Sequence, residues 1–168
     1  IQEANSDPDA STILFNISGT PDFTNNSQPG YTIAPTSVLP NITEQVTING
    51  YSQPGSLANT AIAPNPLNGR LLIEISGINT GSVFGLTLAT GSQNSTISGL
   101  VLNNWGSSAI LLSAADISIS GNYIGTDPTG MLSNANARIS MFSGAITNSG
   151  SAATGLTIGG LSPNERNL

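Results

Sequence analysis

The amino-acid sequence predicts an all-β chain, folded as a parallel β-helix (a β-solenoid) of about six coils with projecting loops. Three observations predict this class: a repeated triplet, alternation of apolar and polar residues around it, and no helical periodicity between its copies. The triplet Ile-Ser-Gly ends at Gly77, Gly99 and Gly121, so its copies are separated by 22 residues. A repeat of this length made of strand-forming residues indicates one structural unit stacked on itself.

The isoleucine of each copy marks the buried side of a predicted strand. With the looser copies included, the predicted core positions of the repeat are Ile17, Ile48, Ile75, Ile97, Ile119 and Ile158. The residue two positions earlier is apolar in five of these six copies, and alternate residues share one side of a strand. The residues in between are mostly small and polar. We therefore expect the isoleucine side to face the core and the other side to face water.

Two further strands are predicted in each coil. The glycine of the triplet permits a turn, and a second strand follows it at residues 100–102 and again at 122–124. A third pair of segments, 86–88 and 110–112, is separated by 24 residues. Each strand should pair with its counterpart one coil away, at about 4.8 Å. A propeller would need blades of about 40 residues, and a sandwich would show hairpin turns.

Departures from the repeat predict loops that project from the stem, because insertions usually leave from turns. The extra residues fall at 22–30, at 52–68 and from 125–130 onward. In the last interval, residues 139–144 could instead form a weakly marked further coil. Residues 1–168 are predicted to form a single domain. Since the chain begins with isoleucine rather than methionine, we expect it to be part of a longer precursor or trimmed from one.

The composition argues against several functional classes. Charged residues make up 7% of the chain, against a usual value of about 25%, and there is no lysine, histidine or cysteine. Without a basic stretch, nucleic-acid binding is not expected. The apolar runs are too short for membrane insertion. An acidic, amide-rich and lysine-free chain favours an extracellular or cell-surface location.

Several stretches spread over the chain carry a family resemblance, namely residues 1–5 before 12–17, residues 46–55, residues 121–127, and residues 158–160 before 164–167. In these stretches the chain resembles bacterial secreted proteins with right-handed parallel β-helix repeats, including the choice-of-anchor and Cys-Ser-Leu-Arg-Glu-Ala-type domain proteins. The resemblance implies a right-handed coil, export and a surface location more than it implies an activity. In such proteins a helix caps the first coil, and residues 2–5 resemble only the last turn of that helix. We therefore expect open ends here, satisfied by neighbouring chains or by further coils of a longer solenoid.

The carboxylates do not predict a catalytic site, a metal site or a cofactor. Enzymes with this fold use clustered carboxylates for Ca²⁺, or paired acids on neighbouring coils. In the predicted register Glu74 lies between Thr47 and Thr96, and neither Asp116 nor Asp127 has an acidic residue one repeat before it. Asp127 begins an Asp-Pro-x-Gly sequence, which is typical of a type I turn.

The outward positions and the aromatic residues suggest two kinds of ligand. The outward Thr, Ser and Asn residues could bind ice or a glycan, but Glu74 interrupts the predicted array, so a solvated sheet face is the favoured interpretation. Trp105 and Tyr123 are possible platforms for stacking on a sugar ring.

Four Asn-x-Ser/Thr sequences are possible glycosylation sites, at Asn16, Asn25, Asn41 and Asn94. Asn25 and Asn41 lie in predicted loops, and we expect these two to be the more accessible.

Taken together, these features predict an exported structural or adhesive β-solenoid that is not an enzyme. Its expected partner is a second copy, stacked on the axis through the open ends as in a filament or surface layer. The alternative is a carbohydrate-active module of the polysaccharide lyase or hydrolase type, or a module that binds a polysaccharide without cleaving it.

Overall fold

A computed structural model describes residues 1–134, 146–148 and 154–168. These residues form thirteen strands in three mostly parallel sheets, which confirms the predicted all-β class. The strands are Ser11–Leu14 (β1), Phe23–Asn25 (β2), Gln28–Ile33 (β3), Val46–Asn49 (β4), Ile73–Ser76 (β5), Leu86–Leu88 (β6), Thr96–Ser98 (β7), Val101–Asn103 (β8), Ile110–Leu112 (β9), Ser118–Ser120 (β10), Tyr123–Ile124 (β11), Ile146–Asn148 (β12) and Thr157–Ile158 (β13). Single-turn 3-10 helices lie at Ala4–Ser6, Gly50–Ser52 and Pro163–Glu165. The alternative coil at residues 139–144 lies outside the described residues.

The chain visits the three sheets in a fixed order. The first sheet is β1-β4-β7-β10-β13, the second is β11-β8-β5-β3-β2, and the third is β12-β9-β6. From β4 onward, each strand pairs in parallel with the strand three further along the chain. Consecutive strands therefore belong to the first, second and third sheets in turn, and every third strand continues the same sheet.

The predicted stacking of like residues is confirmed in the first sheet. One row, which we call the isoleucine row, consists of Ile13, Ile48, Ile97, Ile119 and Ile158 in successive strands. The three central members are at most 2% exposed, whereas the Ile158 side chain is 54% exposed. Four of the six predicted repeat positions therefore share one row, but the prediction that Ile158 faces the core is wrong, because its side chain is exposed.

Ile75 is buried in the core as predicted, but its predicted stacking with the other isoleucines is wrong. Ile75 lies in β5 of the second sheet, where it pairs with Ile33 and Leu102. The triplet did not reveal which sheet Ile75 joins. Strands of both sheets carry apolar residues at alternate positions, and a small residue follows at the turn.

Ile17 was also misplaced, since Ile13 holds the corresponding position of the isoleucine row. Ile17 lies beyond the end of β1, and its backbone is bound by a side chain rather than by a strand. Its N–H donates to Gln53 Oε1 at 2.8 Å, and its carbonyl accepts from Gln53 Nε2 at 3.0 Å. Gln53 thus satisfies backbone groups that a neighbouring strand would otherwise satisfy.

The predicted strands of the other two sheets are confirmed, together with their pairing. Val101 is in register with Tyr123 in the second sheet, and Leu86 is in register with Ile110 in the third. An isolated parallel bridge between Ile42 and Leu88 continues the third sheet beyond β6.

Two of the predicted loops have more structure than the sequence indicated. Residues 22–30 contain β2 and the start of β3, which form an antiparallel hairpin. Its turn is at Asn26 and Ser27, with φ values of 47° and 62°, as a two-residue hairpin turn of type I′ requires. Residues 52–68 have an exposed outer side, but Leu67 packs on the second sheet, against a buried cluster of Leu71, Val101 and Tyr123.

Candidate functional site

The outward side of the first sheet carries a row of hydroxyl side chains, which we call the hydroxyl row. The strand register aligns Thr12, Thr47, Thr96, Ser118 and Thr157 in β1, β4, β7, β10 and β13. Thr12 and Thr157 are exposed and the three central residues are partly exposed. Neighbouring members are therefore one strand spacing apart, about 4.8 Å.

Glu74 does not interrupt the hydroxyl row, and this corrects the sequence prediction. Glu74 belongs to β5 in the second sheet, where it is in register with Thr32 and Val101 rather than with Thr47 and Thr96. The hydroxyl row is consequently continuous over five strands and contains no charged residue.

A second outward row lies two residues further along each strand. It consists of Leu14, Asn49, Ser98 and Ser120. The mixture of residue types that the sequence suggested for the whole face is confined to this second row, whereas the hydroxyl row contains only threonine and serine.

Within the described residues, no side chain of the hydroxyl row has a hydrogen-bond partner from the protein. Several hydroxyls in other places do have one. Thr32 Oγ1 donates to Glu74 Oε2 at 2.6 Å, Thr80 Oγ1 donates to the Gly77 carbonyl at 2.8 Å, and Ser95 Oγ donates to the Ser92 carbonyl at 2.7 Å. The hydroxyl row is thus not occupied by any group of the described part of the chain.

Thr12 is the member of this row that sequence reasoning missed. A signal for it is present, because each isoleucine of the isoleucine row directly follows a threonine or serine. The two misplaced isoleucines follow Asn16 and Glu74 instead. This signal is shared by all five strands of the first sheet but is not unique to them, because Ile33 in β3 of the second sheet also follows a threonine.

Glu74 lies in a buried polar cluster on the second sheet. It is 9% exposed, and besides the Thr32 hydroxyl its carboxylate accepts from Asn103 Nδ2 at 2.6 Å. The same Asn103 amide donates to the carbonyl of Thr126 at 2.9 Å. These bonds connect β3, β5 and β8 to the loop that follows β11, so Glu74 holds neighbouring segments together.

Asp127 occupies the turn that its sequence predicts. The Gly130 N–H donates to the Asp127 carbonyl at 2.9 Å, and the carboxylate accepts from the Thr129 hydroxyl and from the Met131 and Leu132 N–H groups. Partial burial raises the pKa of Asp127, but the hydrogen bonds outweigh it and hold the pKa below its ordinary value of 3.8. This residue therefore stabilises a loop.

Trp105 and Tyr123 are buried, so the prediction that they form exposed platforms for a sugar ring is wrong. Their side chains are 1% and 4% exposed. Trp105 packs so closely on Gly77 and Gly85 that an added Cβ there would lie 2.6 Å and 2.9 Å from the indole ring. Tyr123 lies beneath the loop of residues 52–68, and its hydroxyl donates to the Gly69 carbonyl at 3.3 Å.

The Tyr51 hydroxyl lies beside the same region and donates to the Gly121 carbonyl at 2.8 Å. Burial, and to a lesser extent the neighbouring Tyr123, raises the pKa of Tyr51 to about 12. Burial also raises the pKa of Tyr123. Both phenols are therefore held in their neutral form by the fold.

The four possible glycosylation sites differ in accessibility. Asn16, Asn41 and Asn94 are exposed, whereas Asn25 is 5% exposed. The Asn25 amide donates to the carbonyls of Leu71 at 3.2 Å and Pro128 at 2.7 Å. The prediction that Asn25 is among the more accessible sites is wrong, because its amide nitrogen is enclosed between the hairpin and the loop.

The N-terminal end of the sheets contains an apolar cavity of about 510 Å³. Its lining includes inward residues from all three sheets: Ile13, Ile33, Ile48, Ile75 and Leu86. In the described part of the chain β1 pairs only with β4, and at the other end β13 pairs only with β10. Each of these two strands therefore has one unpaired edge there.

Residues 1–134, 146–148 and 154–168 contain neither a metal-binding cluster nor a membrane-spanning helix. In these ranges no three His, Cys, Asp or Glu side chains come close enough together to hold a metal ion. The helices in the same ranges are all too short to cross a bilayer.

Comparisons with known proteins gave no significant match to a family model, to a curated protein or to a solved structure.

Proposed function

We propose that the three sheets are the faces of one right-handed parallel β-helix, and that the chain is an exported structural or adhesive protein. The observation that carries the proposal is the pairing of each strand with the strand three further along, with like residues in register. A connection between parallel strands of one sheet is right-handed in about 98% of cases, which supports the proposed hand.

A parallel β-helix is suited to a structural role because it can form a long, narrow stem. In a solenoid each repeat contacts only its neighbours, so length grows by adding coils without changing the cross-section. The acidic, lysine-free composition with 7% charged residues is the support for export to the cell surface.

We further propose that a second copy associates head to tail through the first sheet. The free edges of β1 and β13 belong to the same parallel sheet, so β13 of one copy can pair with β1 of the next. Like residues would remain stacked, because Thr157 and Ile158 correspond to Thr12 and Ile13 in register. Such contacts do not close on themselves, so they generate a filament.

The backbone of β1 offers a specific test of this contact. The Ser11 N–H donates to the Gln45 carbonyl at 3.1 Å, and successive N–H groups of a strand point to opposite sides. The Thr12 N–H therefore points to the free edge. Proline at this position would block pairing with a second copy without removing a bond within the chain.

We expect the purified chain to form filaments in electron micrographs and to sediment faster at higher concentration. Thr12→Pro should prevent this, and Thr12→Ser, which keeps the N–H, should not. A 17.0 kDa monomer at all concentrations would contradict head-to-tail association while leaving the β-helix itself intact. The β-helix would be contradicted by an experimental structure in which the three sheets do not surround one core.

A further inference from the structure

We propose that the hydroxyl row, together with the polar residues of the second outward row, is an ice-binding surface. The ligand is the surface of crystalline water. The inference concerns the side of the stem and does not depend on association through its ends.

Regular spacing is the first argument. Members of the hydroxyl row are about 4.8 Å apart along the stack, and the second row lies two residues away, about 6.6 Å. The outward side chains therefore form a two-dimensional grid on a parallel sheet. Because the grid is regular, several of its hydroxyls can contact repeating positions of a crystalline water surface at the same time.

The chemistry of the row is the second argument. Its hydroxyls have no hydrogen-bond partner within the described chain, and each of its four threonines adds a methyl group beside the hydroxyl. A hydroxyl can both donate to and accept from water, as a site in an ice lattice requires. Glu74, the only charge that the sequence had assigned to this array, belongs to the second sheet.

The same observations favour ice over a polysaccharide. A sugar-binding face usually offers an aromatic ring for stacking, and the two outward rows contain no aromatic residue. The aromatic candidates Trp105 and Tyr123 are buried.

Two threonines provide a matched pair for the test. Thr96 is a central member of the hydroxyl row, and Thr87 is the partly exposed outward residue of β6, next to Leu111 in the third sheet. Thr96→Lys places a long charged side chain in the hydroxyl row, and Thr87→Lys makes the same change on the third sheet. Thr96→Val removes only the hydroxyl and keeps the β-branched shape that suits a strand.

The experiment grows ice slowly from a solution of the full chain and compares the protein content of ice and liquid by absorbance at 280 nm. Thermal hysteresis is recorded on the same samples, and far-UV circular dichroism checks that each variant is folded. We expect the unaltered chain and Thr87→Lys to be enriched in the ice and to show hysteresis. Thr96→Lys should lose both properties, and Thr96→Val should show less of each.

Three results would overturn the proposal. The first is exclusion of the unaltered chain from ice, as for an ordinary soluble protein. The second is folded Thr96→Lys that remains as enriched in the ice as Thr87→Lys. The third is binding of insoluble polysaccharide through Thr96 by a chain that is excluded from ice. The last result would assign the same surface to a glycan.

Discussion

At the scale of single residues, the corner between the first and second sheets depends on glycine. Gly99, which ends a copy of the triplet, has a φ of 72°, and a Cβ at this position would lie 2.7 Å from the Tyr51 backbone nitrogen. An L-residue with a side chain would therefore suffer both an unfavourable backbone conformation and a clash.

Gly99→Ala should destabilise the chain by more than Gly81→Ala, which is a matched control. Gly81 also has a φ of 72°, but no atom lies within 4 Å of its added Cβ. The control should cost about 1–2 kcal/mol for the left-handed conformation alone, and Gly99→Ala a further 1–3 kcal/mol for the overlap. Urea denaturation of the two variants measures the difference. Equal losses would show that the corner relaxes to accept the methyl group.

Tyr51 gives the chain a defined weakness at alkaline pH. Because its pKa in the folded chain is raised from 10.0 to about 12, the folded state favours the neutral phenol. The resulting stability is complete below pH 10.0 and is lost as the pH rises toward about 12. We expect the free energy of unfolding to fall over this interval, with a shallower fall in Tyr51→Phe. An identical fall in both proteins would assign the alkaline effect to other groups.

At the scale of elements, the cluster around Glu74 connects strands of the second sheet to the loop after β11. A buried carboxylate is stable only when its oxygens are hydrogen-bonded, and here a hydroxyl and an amide supply these bonds. The sequence predicted a solvated outward residue at this position, because sequence alternation alone does not reveal which loops cover a sheet.

Glu74→Ala should lower the free energy of unfolding by about 1–3 kcal/mol for each buried donor left without an acceptor. Glu74→Gln should cost less, since its amide oxygen can accept from Asn103 and the Thr32 hydroxyl can rotate to accept from its NH₂ group. Glu3→Ala, at an exposed acidic residue, serves as the control, and chemical denaturation compares the three. A loss in Glu74→Gln as large as in Glu74→Ala would show that the charge, rather than hydrogen bonding, is needed.

At the scale of the whole molecule, stability should be greatest in the middle of the stack. Central members of the isoleucine row are at most 2% exposed, whereas Ile158 is 54% exposed. In a parallel sheet a central strand has a hydrogen-bonded neighbour on each side and an outermost strand has one, so the outermost strands should open first.

Two amides of the first sheet test this gradient directly. The Ser118 N–H donates to the Ser95 carbonyl and the Thr157 N–H to the Ile117 carbonyl, both at 2.9 Å. In dilute solution, hydrogen exchange should be slower at Ser118, because β10 has a neighbour on each side and β13 has one in the described chain. Equal protection of the two amides in a monomer would indicate that the stack opens as a single unit.

The sequence by itself determined the strand class, most strand positions and four members of the isoleucine row. Both the 22-residue repeat and the alternation of apolar and polar residues can be recognised in the sequence without knowing which segments pack together. Only the tertiary structure decided which sheet each strand joins, since an inward-facing isoleucine can pack into the core from any of the three sheets. That assignment moved Glu74 away from the hydroxyl row and added Thr12 to it. Burial of Trp105, Tyr123 and Asn25 also depends on segments distant in sequence, because a side chain is covered by whatever packs on it and not by its neighbours along the chain.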